Sequence, residues 1–264
     1  MSGGQILAAG RKAGLALGLP VALLAVWWIA SAGSANFYFP PLQTIAQMFV
    51  EVWVSPRIYD DVLPSLTRLA AGYFGAVGLG LLIGIPIGLS RTLRNVLEPV
   101  LEFLRDIPPP ALVPILILLA GIGDTMKTLV IVSGCIWPVL LNTVEGVRGR
   151  DEVLEDVVRS YRIGAFARLW HFVIPSASPQ MFTGMRQALA IGIILMVISE
   201  MFAASNGLGF AIIQFERSFA VAEMWTGIIM LGLIGILLSQ IFRMVERRML
   251  AWYHGLRQSQ RAGG

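Results

Sequence analysis

Cysteine, histidine, lysine and charge are all scarce in this 264-residue chain. The single cysteine, Cys135, excludes a disulfide framework and a cysteine-rich metal site. The two histidines, His171 and His254, stand far apart and form no metal-binding pair on one helix. Only 14% of residues are charged, against roughly 25% in a typical soluble domain. The two lysines, Lys12 and Lys127, lie in no glycine-rich turn, so there is no phosphate-cradling loop and no recognisable means of hydrolysing ATP. The net charge of +4 comes from arginines beside apolar segments rather than from a basic stripe, which excludes a nucleic-acid module. What is abundant is apolar: 56% of residues are hydrophobic, and the mean hydropathy is +0.73. That balance is the signature of a polytopic membrane protein and excludes disorder.

A spanning helix needs about 20 mostly apolar residues. Six segments qualify or nearly qualify: 13–32, 69–89, 106–124, 127–145, 182–204 and 224–242. The third, opened by Pro108, Pro109 and Pro110, and the fourth are short for a full crossing. Six crossings place both termini on one side. The side holding the termini, 91–108 and 145–186 carries sixteen of the twenty Lys and Arg residues, and the other side four. The positive side is cytoplasmic, so both termini are expected there. Arg11 and Lys12 before an apolar run also resemble a signal peptide, but the run is long for one and cleavage would spoil the charge asymmetry.

Between helices one and two, Leu42, Ile45, Met48, Phe49 and Val52 recur at helical spacing, which predicts an interfacial amphipathic helix ended by Pro56. The glycines of 69–89 are read as close-packing positions. Segment 145–181 is too charged to span. Val153, Leu154, Val157, Val158 and Tyr161 nonetheless form an apolar stripe, Gly164 marks a break, and a second short helix is expected over 165–172 until Pro175. Such a helix pair serves as a docking platform for a soluble partner or packs as a loop on its own helix ends.

This segment resembles the cytoplasmic "EAA" loop of ATP-binding-cassette importer permeases: Glu-Ala-Ala, three residues, Gly, nine residues, Ile, one residue, Leu-Pro. Anchored on Ile174-Pro175, Asp156-Val157-Val158 falls at the Glu-Ala-Ala position, Phe172 at the isoleucine and Arg162 at the glycine, with Gly164 two residues later as a candidate for the bend. Further motifs follow in order: Pro64-Ser65-Leu66-Thr67-Arg68, Gly84-Ile85-Pro86-Ile87-Gly88-Leu89, Leu104-Arg105-Asp106-Ile107-Pro108, Gly121-Ile122-Gly123, Ser199-Glu200-Met201 and Gly207-Leu208-Gly209. Together they resemble the nitrate/sulfonate/taurine branch of these permeases over about residues 15–250.

The resemblance implies an all-α, six-helix permease of a bacterial inner membrane, acting as one transmembrane domain over 1–264 and carrying no cofactor of its own. It implies a second copy of the chain, two cytoplasmic ATPase subunits holding ATP and Mg, and a periplasmic or lipid-anchored substrate-binding protein. Asp156, Val157, Val158, Arg162, Gly164, Phe166, Leu169 and Pro175 are then the residues expected to couple to the ATPase. Thr128, Ser133, Asn142, Met196, Ser199 and Glu200 are candidates for the solute path, with interhelix packing as the equal alternative. Glu200 is expected to pair with an external base or to help form the outer gate. Arg186 either snorkels to the interface or meets an anion or an acid. Cys135 reads as a packing residue, and Trp27, Trp28 and Trp252 as interface markers. The competing function is an ion-coupled secondary transporter, which would place ionisable groups mid-membrane or repeat its halves in inverted order. A membrane enzyme is opposed by the lack of any catalytic constellation.

Overall fold

The computed structural model describes residues 18–34 and 36–253, all helix, turn and loop, with no strand among them. Arg11, Lys12, the start of the first expected helix and His254 lie outside these residues. The helices are α1 (Gly18–Ser31), α2 (Leu42–Trp53), α3 (Leu63–Leu89), α4 (Arg91–Arg105), α5 (Val113–Ala120), α6 (Asp124–Arg148), α7 (Glu152–Ser160), α8 (Ala165–Arg168), α9 (Ile174–Ala203), α10 (Leu208–Arg217) and α11 (Val221–Met249). Among the described residues, four helical runs are long and apolar enough to cross a membrane: 58–89, 124–148, 165–202 and 221–249. A fifth stretch, α4 with the 109–120 segment, is long and apolar enough only when its two pieces are taken together, and they meet at 81°.

The expected third span is therefore two short pieces. Pro109 and Pro110 supply no backbone N–H, and the chain passes through a short 3₁₀ turn, Pro109–Leu112, before the eight-residue α5. The expected fourth span is longer than its apolar core, because Asp124, Lys127, Glu145 and Arg148 are carried on the helix as ion-paired ends. Pro175 does not stop a helix. A wide π turn, Leu169–Val173, precedes it, and Pro175 sits in the first turn of α9, where its missing N–H costs least. The second span starts earlier than its charge-free stretch and takes in Arg68.

Two compact units make up the chain: residues 1–58 with 211–230, and 59–210 with 231–264. In the first, Trp27 packs against Phe39 and Trp225 at ring separations of 6.1 and 5.7 Å, so Trp27 is a packing residue while Trp28 stays exposed. The Trp53 indole donates to Thr226 Oγ1 at 3.0 Å.

The second unit is built on α3, α6 and α9. Gly72, Ala76, Gly80, Gly84 and Gly88 recur every fourth residue and form one small-residue stripe on α3. A Cβ at any of its four glycines would lie 2.6–2.9 Å from a side chain of α6. The stripe is what allows the two helices to approach this closely. Gly78, off the stripe, faces open space and carries no such requirement. Cys135 is fully buried, its thiol donating to Ala188 O at 3.1 Å.

Candidate functional site

Two places in the second unit concentrate charge, one at each end of the three-helix core. At the first, the start of α3, the start of α6 and the end of α9 meet the 204–207 loop. Arg68 is 4% exposed and Glu200 fully buried, and they pair at 2.8 Å. An ionised pair removed from water persists only when its remaining hydrogen-bonding groups are also met. Here they are. Arg68 Nε donates to Asp124 Oδ1 at 2.8 Å, Nη1 also to Asn206 O at 3.1 Å, and Nη2 to Asn206 Oδ1 at 2.6 Å. Glu200 accepts from the Ser65 hydroxyl at 2.8 Å and from Gly209 N–H at 3.0 Å. Ser65 accepts in turn from Leu208 N–H at 2.9 Å, and Asp61 from Gly207 N–H at 3.0 Å.

Gly207 has φ +119°, a conformation glycine alone tolerates well. A Cβ there would also sit 2.5 Å from the Glu200 carboxyl carbon. Lys127 adds a second buried cation, 3.6 Å from Asp124. Glu200 is thus a lock residue joining α3, α9 and the 206–209 turn.

The other expected path residues spread out. Met196 and Ser199 are fully buried, and the Ser199 hydroxyl donates to Met196 O at 2.9 Å, so neither is open to a path in this conformation. Ser133 donates to Val130 O at 2.7 Å. Asn142 accepts from Gln180 at 2.9 Å and donates to Gln187 at 3.3 Å, tying α6 to α9. Thr128 is half-buried. Arg186 pairs with Glu246, the partner-acid alternative among its readings.

At the other end lies the charged segment after α6. Asp151 caps α7, accepting from Val153 N–H at 2.9 Å and Leu154 N–H at 3.2 Å. The helix closes with Arg162 N–H bonded to Arg159 O and Ile163 N–H to Val158 O. This is a left-handed cap, and its φ +50° residue is Arg162. The position aligned with the family glycine therefore does adopt a glycine-like conformation, although arginine fills it. Gly164 has φ −60° and does not take over the bend.

Glu155, which the motif alignment passed over, is the hub of this segment. It pairs with Arg150 at 3.2 Å, Arg159 at 3.1 Å and, more closely, Arg168. Partial burial pushes its carboxyl up, but the hydrogen bonds and charge of Arg150, then of Arg168 and Arg159, outweigh this and hold it below the usual glutamate range. Asp156 is exposed, as are Val157, Gly164 and Phe166, and Val158 is half-buried. Leu169 instead is half-buried and packs against the buried cluster of Val147, Val173, Ala177 and Met181. Its place on the surface is taken by Trp170, 54% exposed and 6.2 Å from the ring of Phe166. Pro175 is half-buried at the start of α9. Val153, Leu154, Tyr161 and Ile163 are exposed as well, so one short segment presents a continuous run of uncovered apolar side chains.

Residues 76–251 match the family model described as the binding-protein-dependent transport system inner membrane component. The chain belongs to this family of ABC importer permeases. It is 30% identical over 250 residues to the taurine transport system permease protein TauC of Escherichia coli, covering 92% of this chain and 91% of that one. It is 31% identical over 237 residues to the aliphatic sulfonates transport permease protein SsuC of Bacillus subtilis, covering 89% and 86%. It is 28% identical over 234 residues to the nitrate import permease protein NrtB of Synechocystis, covering 85% and 84%. Among solved structures, a chain of the inward-facing MetNI methionine ABC transporter superposes with a TM-score of 0.59 at 17% identity, over 74% of this chain and 98% of that one, which shows the shared fold. The permease is a non-catalytic translocation subunit of an importer whose ATPase is a separate partner.

Proposed function

We propose that this permease passes a small sulfonate-, nitrate- or taurine-like anion across the inner membrane, and that the segment at about 145–181 couples it to the ATPase. The substrate reading rests on the taurine and sulfonate permeases to which nearly the whole chain is similar. The coupling reading rests on the uncovered apolar run through Val157, Tyr161, Phe166 and Trp170. Apolar surface beside a charged segment is the mark of an interaction site. The working assembly is two copies of this chain, each used as a single permease domain, two cytoplasmic ATPase subunits carrying ATP and Mg, and a periplasmic or lipid-anchored binding protein. Both termini face the cytoplasm, by the Lys/Arg asymmetry.

In this mechanism the ATPase cleft grips α7 and α8. Closure of the ATPase dimer on nucleotide moves the pair as a lever, and Leu169, seated in the core below, carries the motion into α6 and α9. Asp156, exposed beside Val157, makes the charged contact. Arg162 and Gly164 shape the turn between the two helices, and Pro175 sets the start of α9. The solute path runs past the half-buried Thr128, Ser133 and Asn142.

The test is co-expression with the ATPase, purification through a tag on this chain, and ATP hydrolysis in lipid with and without binding protein loaded with taurine, an alkanesulfonate or nitrate. Hydrolysis that rises with one loaded form supports the reading and names the solute. Folded permease free of ATPase would contradict the coupling assignment and favour an ion-coupled carrier. Asp156→Ala is expected to weaken ATPase association by about 2–5 kcal/mol if its contact is buried in the complex, with insertion unchanged.

A further inference from the structure

A recess of about 520 Å³ opens where the end of α3, the start of α4, the end of α6 and α7 converge. Five arginines line it: Arg91, Arg94, Arg148, Arg150 and Arg159. Glu155 and Asp156 are the two acids on its wall, which leaves a formal excess of three positive charges.

The arginines are not all served by the protein. The Arg150 side chain is 8% exposed, and only its Nη2 is paired, with Glu155. Its Nε and Nη1 are buried without a hydrogen-bond partner. The guanidinium lies 6.0 Å over the ring of Phe172, which satisfies a face but not the N–H groups on the edge. Arg94 gives one bond, to Gly88 O at 3.2 Å, while its Nε is buried and unpartnered. Burying charged donors without acceptors is costly. Several guanidinium forks around one small space match the oxygens of a tetrahedral oxyanion.

We infer that this recess binds a phosphate group, held chiefly by Arg94, Arg148 and Arg150. The chemistry is shared by two sources. The recess lies at the ends of two membrane-spanning helices, where the phosphate of an anionic phospholipid is within reach. Free phosphate is the other. An occupant here bridges α4 and α6 to α7, the first helix of the coupling segment, and steadies that segment.

The full-length permease is purified in detergent and titrated with inorganic phosphate, with chloride of equal ionic strength as the control, while thermal unfolding is followed. In parallel it is reconstituted with phosphatidylcholine alone or mixed with phosphatidylglycerol, and retained lipid is read by native mass spectrometry. The expected result is a midpoint raised by phosphate but not by chloride. Arg94→Gln should raise the half-saturating concentration about tenfold or more, the loss of one charge-assisted contact. Selective retention of phosphatidylglycerol, lost in Arg94→Gln, names the lipid as the source; a response to phosphate alone names the free ion. Should Arg94→Gln fold poorly, Arg91→Gln, at an exposed position, reads the same titration with a smaller shift. Equal responses to phosphate and chloride together with equal lipid retention would overturn the site, as would variants that respond like the parent. The first of these is the result expected if the arginines serve only the ATPase.

Discussion

Arg68 and Arg150 are both more than nine-tenths buried, and they stand at opposite ends of the α3–α6–α9 core. Arg68 has a partner for every nitrogen: Glu200, Asp124 and both the backbone and side chain of Asn206. Arg150 has one partner and two idle nitrogens, beside a segment whose apolar side chains are uncovered. One end is satisfied within the chain, and the other leaves buried donors without acceptors. A closed polar network fixes geometry. An open one leaves buried donors whose desolvation is uncompensated.

The closed end is the more sensitive of the two to substitution. Glu200→Ala leaves Arg68 buried with its main counter-charge gone, and such a loss costs about 3–5 kcal/mol. Thermal unfolding in detergent should show a large drop, with the open end's response to phosphate preserved in the material that folds. Gly207→Ala acts on the same network through the backbone. Its φ of +119° and the 2.5 Å approach of a Cβ to the Glu200 carboxyl carbon predict a loss of about 1–3 kcal/mol, read in the same assay.

At the open end the effects are smaller and depend on conditions. Glu155 has a folded pKa below its unfolded one. Its contribution is therefore fully present above the ordinary glutamate value of about 4.3 and lost as pH falls through the lower folded value. The stability difference between the parent and Glu155→Gln should be constant near neutrality and shrink below about pH 4. Equal differences at all pH values would remove Glu155 as the hub. The smallest effect is at the turn. Arg162→Gly relieves a left-handed arginine at φ +50°, and is expected to raise stability by no more than about 1 kcal/mol, because glycine also gains freedom in the unfolded chain.

The two ends also differed in how far the sequence disclosed them. Pro64-Ser65-Leu66-Thr67-Arg68, Ser199-Glu200-Met201 and Gly207-Leu208-Gly209 were each visible as a separate family motif. That they meet in one network could not be read from spacing, because its contacts join residues up to 146 positions apart. The available signal was physical: an arginine and a glutamate inside apolar helices each require a partner. The coupling segment was legible from its charge and apolar stripe. Anchoring the motif on Ile174-Pro175 nevertheless singled out Asp156 rather than Glu155, and counted Leu169 with the surface. Leu169 is half-buried against the Val147–Met181 cluster while Trp170 stays exposed, and single residues of an amphipathic stripe cannot be assigned to one side from spacing alone. Hydropathy located the four long spans among the described residues but misjudged their ends, since paired charges lengthen α6, and prolines divide the 106–124 stretch.

On the proposed coupling, the uncovered face of α7 and α8 is where ATP hydrolysis meets translocation. Phe166→Asp alters a side chain 76% exposed and outside the core. The permease carrying it, reconstituted with its ATPase and loaded binding protein, should keep its thermal stability and lose both ATPase co-purification and the stimulation of hydrolysis. Full co-purification and undiminished stimulation in a stably folded Phe166→Asp permease would place the coupling contact elsewhere.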